Sequence, residues 1–179
     1  GYWSRGLGDV YKRQFLENDP LFIMIYLSPS QLQQIETHAQ TSYPEECCGL
    51  LLGTIEGDHP RVIEVRETEN AWTPNIMEGF ENAVSSEHQP LSRKNRFSID
   101  PYVLLQVQKE IRDRNLNIIG IYHSHPDHPA IPSAFDREIA WPDYSYIIAS
   151  LRKGKVTEIK SWKLQDNQQF APENIIIVA

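Results

Sequence analysis

The chain has 179 residues and a formal net charge of −7 at pH 7. This length predicts one domain with a sizeable core. The acidic balance argues against a nucleic-acid or anionic-membrane binder, because such proteins rely on basic patches, and no apolar run reaches transmembrane length. The two cysteines, Cys47 and Cys48, are adjacent and offer no disulfide framework, so the predicted location is a reducing cytoplasm.

Residues 1–14 show neither helical nor strand periodicity and lack the apolar region of a secretory signal. We predict that residues 1–23 are a disordered or non-native lead segment and that Met24 is the natural start. Residues 24–179 then form a single domain.

The folded part opens with a predicted strand over residues 22–27. A helix follows to about Gln40, with Ser28 at the N-cap, Pro29 at the first helical position and Gln31 completing a capping box. An apolar strand over 48–55, a turn at 56–58 and a second strand over 62–66 predict a hairpin.

The segment 70–94 has no periodicity and is rich in polar residues and proline. Two readings stay open for it, a functional loop over a site and a polar surface insertion. A short strand is predicted over 96–99, followed by a helix that Asp100 caps and Pro101 begins. Its predicted buried side carries Val103, Leu104, Val107 and Ile111.

The remaining elements are a strand over 118–123, a short helix after Ser133 that stops before Pro142, and strands over 144–151 and 156–163. Residues 174–178 are a candidate edge strand. Strands mixed with three helices predict an α/β or α+β domain with a central mixed β-sheet flanked by helices.

One stretch, residues 119–136, carries the chemistry. On extended backbone His123 and His125 point to one face while Ser124 points to the other. With Asp136 they supply three ligands, the number with which a catalytic zinc keeps a fourth position for water. A capping box formed by Ser133 and Asp136 is the alternative interpretation of the second half, and the role of His128 is left open.

These residues resemble the JAMM, or MPN-plus, zinc metallopeptidase signature: His123-Ser124-His125-Pro126, then Ser133, with seven residues between His125 and Ser133, and finally Asp136. The segment 44–53 resembles the family's upstream glutamate and strand, with Glu46 in the catalytic position. The likeness covers about residues 24–164 and is nearest to the short bacterial, Mec-type members. It implies a cytidine-deaminase-like architecture.

The resemblance implies one Zn²⁺ per chain, bound by His123, His125 and Asp136. Zinc lowers the pKa of its water ligand to about 7. Glu46 would move the proton from water to the leaving amine, and the Ser133 hydroxyl would donate to the oxyanion. Glu45 is the alternative base, but strand neighbours point opposite ways and only one is expected to reach the metal.

The implied substrate is the C-terminal tail of a ubiquitin-like protein, and by analogy with the short bacterial members a sulfur-carrier protein. The insertion that eukaryotic deubiquitinating relatives carry after the motif is absent, which argues against polyubiquitin chains. Rival interpretations are a small-peptide or cell-wall hydrolase, a RadC-like protein and a catalytically inactive MPN interaction module. No oligomeric state is predicted.

A cysteine-protease interpretation, with Cys47 or Cys48 as nucleophile and a motif histidine as base, is also open. Their place at the start of an apolar strand instead favours small buried core residues.

Overall fold

The computed structural model describes residues 23–75 and 90–179. The described residues form seven strands: β1 (Met24–Leu27), β2 (Cys48–Glu56), β3 (His59–Thr68), β4 (Asn117–Pro126), β5 (Ser145–Arg152), β6 (Lys155–Leu164) and β7 (Phe170–Ile177). They also form three helices: α1 (Pro29–Ser42), α2 (Pro101–Arg112) and α3 (Ala134–Ile139). No helix in these two ranges is both long and apolar enough to cross a membrane.

All seven strands belong to one mixed sheet in the order β1-β3-β2-β4-β5-β6-β7, and it closes because β7 pairs with β1. The β4–β5, β1–β7 and β1–β3 pairs are parallel, and the others are antiparallel. This confirms the predicted α+β class with a central mixed sheet and flanking helices.

The prediction that residues 174–178 form an edge strand is wrong. β7 is longer, Phe170–Ile177, and pairs with β6 on one side and with β1 on the other. β7 is the last strand along the chain, and its parallel partner β1 is the first, so this pairing has no local signal in the sequence.

β4 lies at the centre of the sheet and carries the histidines. It runs antiparallel to β2 and parallel to β5, so that His123 lies opposite Cys48 on one side and Ile148 on the other. The β2 ladder ends at His123, while the β5 ladder continues past it and pairs His125 with Ser150.

At Gly49, strand β2 packs closely against its neighbours β3 and β4. Gly49 pairs with Tyr122, and a Cβ atom at position 49 would overlap the Tyr122 ring and the carbonyl oxygen of Arg66. The buried Tyr122 hydroxyl lies 2.8 Å from Nδ1 of His38 on α1. The sheet therefore needs glycine at this position.

Two hydrophobic clusters cover the two faces of the sheet. The larger lies under α1 and includes Ile25, Ile35 and Leu51, and the smaller lies under α2 and includes Leu50 and Ile111. Neighbouring residues of β2 enter different clusters because side chains alternate along a strand.

The predicted helix starts are confirmed. Ser28 accepts from the Gln31 backbone N–H and Gln31 returns a bond to the Ser28 N–H, which completes the capping box, while Asp100 caps α2. Along α2, Val107 and Ile111 are buried, and Val103 and Leu104 pack against them.

The strand predicted over residues 96–99 is absent. The backbone of Ser98 bonds instead to the Asn70 side chain and to the Ala71 N–H, at 3.2 and 2.9 Å, so no ladder forms. Of the predicted lead segment, residues 1–22 lie outside the described residues, and the proposal of one domain over 24–179 stays a prediction.

Candidate metal centre

Three buried side chains meet at the end of β4 and the start of α3. The Nε2 atoms of His123 and His125 lie 3.0 Å apart. Asp136 places one carboxylate oxygen 3.2 Å from the His123 nitrogen and the other 3.3 Å from that of His125. His123, His125 and Asp136 form the group of potential metal ligands in the part of the chain that the structure describes.

The orientation of His125 is set by the loop that follows it. Its Nδ1 lies 2.7 Å from the Pro129 carbonyl oxygen. A carbonyl can only accept, so Nδ1 carries a proton, and Nε2 is the ring nitrogen that faces His123 and Asp136. A backbone acceptor behind a histidine is a common arrangement at metal sites.

The charge around His125 favours a cation. Burial by itself would lower the pKa of His125, but the hydrogen bond and charge of Asp136 and the charge of Glu46 raise it to about 9. A site whose carboxylates stabilise an imidazolium also stabilises a metal ion in the same position.

His123 sits deeper in the protein. Burial lowers its pKa despite the charge of Asp136, so the ring is neutral at pH 7, the state in which imidazole binds metals. The Phe97 ring stacks on it with centroids 4.4 Å apart, and its Nδ1 has no hydrogen-bond partner among the described residues.

Asp136 is fixed by the helix start. The Asp136 N–H donates to Ser133 Oγ at 3.1 Å, and Asp136 Oδ2 accepts from the Ser133 N–H at 2.8 Å. Although burial opposes ionisation, the two histidines hold the pKa of Asp136 well below its usual value. The capping-box interpretation therefore holds, and the same box orients the carboxylate toward the histidines.

Glu46 is buried two residues before the β2–β4 ladder, while the neighbouring Glu45 is exposed. The negative charge of Glu46 contributes to the raised pKa of His125. Cys47 then joins β4, donating its N–H to Ser124 Oγ at 2.8 Å and accepting from the Ser124 N–H at 3.1 Å. Of the two glutamates, burial and the charge interaction with His125 favour Glu46 over the exposed Glu45.

The donor set fits zinc. A tetrahedral Zn²⁺ with bonds of about 2.0–2.1 Å separates its ligand atoms by about 3.3–3.4 Å. The atoms of His123, His125 and Asp136 are 3.0–3.3 Å apart. Two neutral imidazoles and one carboxylate are a combination that catalytic zinc uses.

Other predicted candidates lie apart from this chemistry. His128 is exposed and is not in the ligand group. Cys47 and Cys48 are buried, and burial raises the pKa of the Cys47 thiol to about 12 and that of Cys48 to about 11. Neither is a thiolate at neutral pH, which argues against a cysteine nucleophile.

An apolar groove of about 590 Å³ adjoins the centre between α2 and α3. Two of its lining residues touch or flank the ligands, since Phe97 stacks on His123 and Phe135 precedes Asp136 in the chain. Leu104 of α2 and Trp141 after α3 also line it. Of these lining residues, Phe97 contacts the metal centre and Trp141 is exposed to solvent.

Sequence reasoning missed Phe97, Pro129 and Asn70. Phe97 lies in the segment that the sequence predicts as a strand. Pro129 acts through its backbone carbonyl, a group that every residue has. Asn70 bonds Glu46 and the 96–98 segment, but it opens a stretch without periodicity. No local pattern marks any of these three contacts.

The family described as "Prokaryotic homologs of the JAB domain" matches residues 28–165, most of the chain. The chain belongs to this family. The match spans the capped helix α1, the hairpin and every candidate site residue. The resemblance to JAMM and MPN-plus proteins is thereby confirmed at the level of the family.

Several curated proteins resemble this JAB-family chain. A desampylase of Pyrococcus furiosus is 29% identical over 121 residues, 65% of this chain and 83% of that protein. A CysO-cysteine peptidase of Mycobacterium tuberculosis is 26% identical over 134 residues, 72% of this chain and 75% of that protein. With a desampylase of Haloferax volcanii the identity is 40%, but the match spans only 40% of that protein and 30% of this chain.

Solved structures share the fold. A solution structure of a Desulfitobacterium hafniense protein is 32% identical with a TM-score of 0.66, covering 87% of this chain and 93% of that one. A Salinibacter ruber protein is also 32% identical, with a TM-score of 0.60, covering 87% and 92%.

Proposed function

We propose that this JAB-family protein is a zinc-dependent hydrolase that cleaves a peptide or isopeptide bond at the C-terminal tail of a ubiquitin-like sulfur-carrier protein. The observation that carries the proposal is the meeting of His123, His125 and Asp136, with Glu46 buried beside them. The names of the relatives, a CysO-cysteine peptidase, desampylases and, in Thermus thermophilus, a probable TtuB-protein conjugate cleaving protease, support this substrate class.

In this proposal His123, His125 and Asp136 hold one zinc ion per chain. Zinc supplies Lewis acidity and makes water available as a nucleophile at neutral pH. Glu46 takes a proton from the attacking water and returns it to the leaving nitrogen as the carbon–nitrogen bond breaks. One molecule of water is consumed, and a carboxylate and an amine are released.

Ser133 is suited to stabilise the oxyanion that develops on the scissile carbonyl. Its oxygen accepts from the Asp136 N–H, so its own hydroxyl hydrogen is free to donate to another acceptor. Hydrogen bonds of this kind are strong contributors when they are already aimed at the developing charge.

The apolar groove is the proposed path for the substrate tail. It adjoins the ligands at Phe97 and Phe135 and opens at Trp141. An extended tail that enters there would bring its last peptide bond beside Glu46 and the metal centre. The body of the carrier protein would then contact the outer end of the groove.

The test is zinc content followed by cleavage. After loosely bound metal is removed, we expect about one zinc per chain, as a three-ligand site holds, and chelator-sensitive release of the adduct from a carrier-protein conjugate. His125→Ala, which removes one ligand, is the matched control and should lose both. Full zinc with no cleavage of any carrier conjugate would contradict the substrate class, and absence of zinc after resupply would favour the inactive interaction module.

A further inference from the structure

The side chain of Asn70 joins three separate backbone segments. Its Nδ2 donates to the carbonyl oxygens of Glu46 at 3.1 Å and Arg96 at 2.9 Å. Its Oδ1 accepts from the N–H groups of Trp72 at 3.1 Å and Ser98 at 3.2 Å. An asparagine amide offers two donors and two acceptor sites, and here all four are used.

Asn70 thereby helps to hold the main chain of Glu46. The Glu46 carbonyl accepts from Asn70, and the Glu46 N–H donates to the Arg93 carbonyl at 2.7 Å. The next residue, Cys47, donates to Ser124 Oγ. With the backbone held on both sides, the direction in which the Glu46 side chain leaves it is restricted.

The other end of this link packs on the metal centre. Asn70 bonds Arg96 and Ser98, the residues on either side of Phe97, whose ring stacks on His123. The amide of Asn70 therefore ties the backbone of the proposed base to a segment that lies directly against a proposed zinc ligand. Such a connection sets the distance between the two.

We infer that Asn70 is a positioning residue for hydrolysis, which fixes the position of Glu46 relative to the metal centre. This inference rests on the proposed function. Asn70 is not itself a catalytic residue, because its four hydrogen bonds all go to backbone groups and none to His123, His125 or Asp136.

Asn70→Asp is the first test. The variant has the same shape, but it sets an oxygen in place of the NH₂ group, against the carbonyl oxygens of Glu46 and Arg96. We expect kcat per zinc-loaded chain to fall about 100-fold, since a misplacement of about 1 Å has that effect, while zinc content and KM stay near wild type. A wild-type kcat in the zinc-loaded variant overturns the inference.

Asn167→Asp is the matched control. The Asn167 side chain accepts from the Gln169 N–H at 3.0 Å, in the exposed turn between β6 and β7. This turn lies outside the segments whose hydrogen bonds hold Glu46 and residues 96–98. We expect kcat to stay within about twofold of wild type, the scatter typical of surface changes. An equal loss in both variants overturns the inference.

A double-mutant cycle separates positioning from general damage. If Asn70 acts through Glu46, adding Asn70→Asp to Glu46→Gln causes no further loss of kcat, because the two residues act as a unit. Independent, multiplying losses overturn the inference. If Asn70→Asp does not fold, Asn70→Ala, which brings no charge, takes its place in the same cycle.

The two proposals fail in different ways. A zinc-loaded wild type that cleaves no carrier conjugate contradicts the proposed function, and the inference about Asn70 falls with it. An active wild type with an equally active Asn70→Asp variant contradicts the inference alone.

Discussion

Ser133 combines two roles that the sequence presents as alternatives. Its oxygen caps α3 by accepting from the Asp136 N–H, while its hydrogen is left to donate. Asp136 likewise returns a bond to the Ser133 N–H and faces both histidines. The capping box that begins α3 therefore also orients the Asp136 carboxylate toward the two histidines.

The first prediction separates the two neighbouring glutamates. Glu46→Gln should retain zinc and lose hydrolysis by about 10²–10⁴-fold, the range for removal of a general base. Glu45→Gln should keep both, because Glu45 is exposed while Glu46 is buried beside His125. Elemental analysis and initial rates on one carrier conjugate check this, and the reverse order of effects would assign the base to Glu45.

At the scale of elements, α2 and α3 form the walls of the groove. Trp141 follows α3 with its side chain 66% exposed, and its backbone N–H, not its ring, bonds Tyr146. The exposed ring is therefore accessible to a partner.

The second prediction tests the groove. Trp141→Ala should raise KM for a carrier conjugate about tenfold, or about 1.4 kcal/mol, with kcat and zinc content unchanged. Ile55→Ala is the control, since Ile55 is 52% exposed and lies near the end of β2 away from Cys48 and the histidines. Steady-state kinetics decides, and an unchanged KM in Trp141→Ala would remove this residue from the substrate path.

The last three strands hold a buried carboxylate that the proposed chemistry does not use. Glu173 of β7 accepts from the hydroxyls of Ser145 at 3.0 Å and Ser161 at 2.7 Å. Burial raises its pKa above the ordinary value, although both serines act in the opposite direction. The folded protein therefore keeps this proton to a higher pH than the unfolded chain does.

The third prediction follows from the sign of that shift. Ionisation of Glu173 lowers stability as the pH rises through the window above 4.5. Glu173→Gln cannot ionise, and its amide can bond both serines. We expect its Tm to exceed that of wild type at pH 8, and the difference to vanish near pH 4. Thermal melts across this range check it.

Exposed Glu36 on α1 supplies the control, because Glu36→Gln should show no such trend. A Glu173→Gln variant that is less stable than wild type at both pH values would mean that the carboxylate's bonds to the serines outweigh the cost of its burial.

At the scale of the whole molecule, the metal centre joins parts that lie far apart in the chain. Glu46 lies two residues before β2, the two histidines lie near the end of β4, and Asp136 lies in the first turn of α3. A bound ion would link these elements in the folded state and not in the unfolded chain, so its binding adds to stability.

The fourth prediction is a zinc-dependent Tm. Zinc at 100 times its dissociation constant should stabilise the metal-free protein by about 2.7 kcal/mol, or roughly 5–10 °C for a chain of this size. His125→Ala should show no rise. Calorimetry with added zinc measures both, and an equal rise in the variant would place the stabilising ion elsewhere.

The sequence by itself determined the elements whose signals are local. Capping side chains bond backbone groups three residues away, and alternation along β2 and β4 follows from the pleat, so the starts of α1 and α2 and the shared face of His123 and His125 were predictable. The spacing of the ligands and the choice of Glu46 over Glu45 came from the family resemblance.

Only the tertiary structure decided the contacts between distant segments. The β1–β7 pairing closes the sheet, the Asn70 side chain replaces a ladder at residues 96–98, and Phe97 and the Pro129 carbonyl back the two histidines. Each depends on backbone groups or single side chains that residues far apart in the chain bring together. Backbone groups are the same at every residue, so no periodicity or composition distinguishes those that make such contacts.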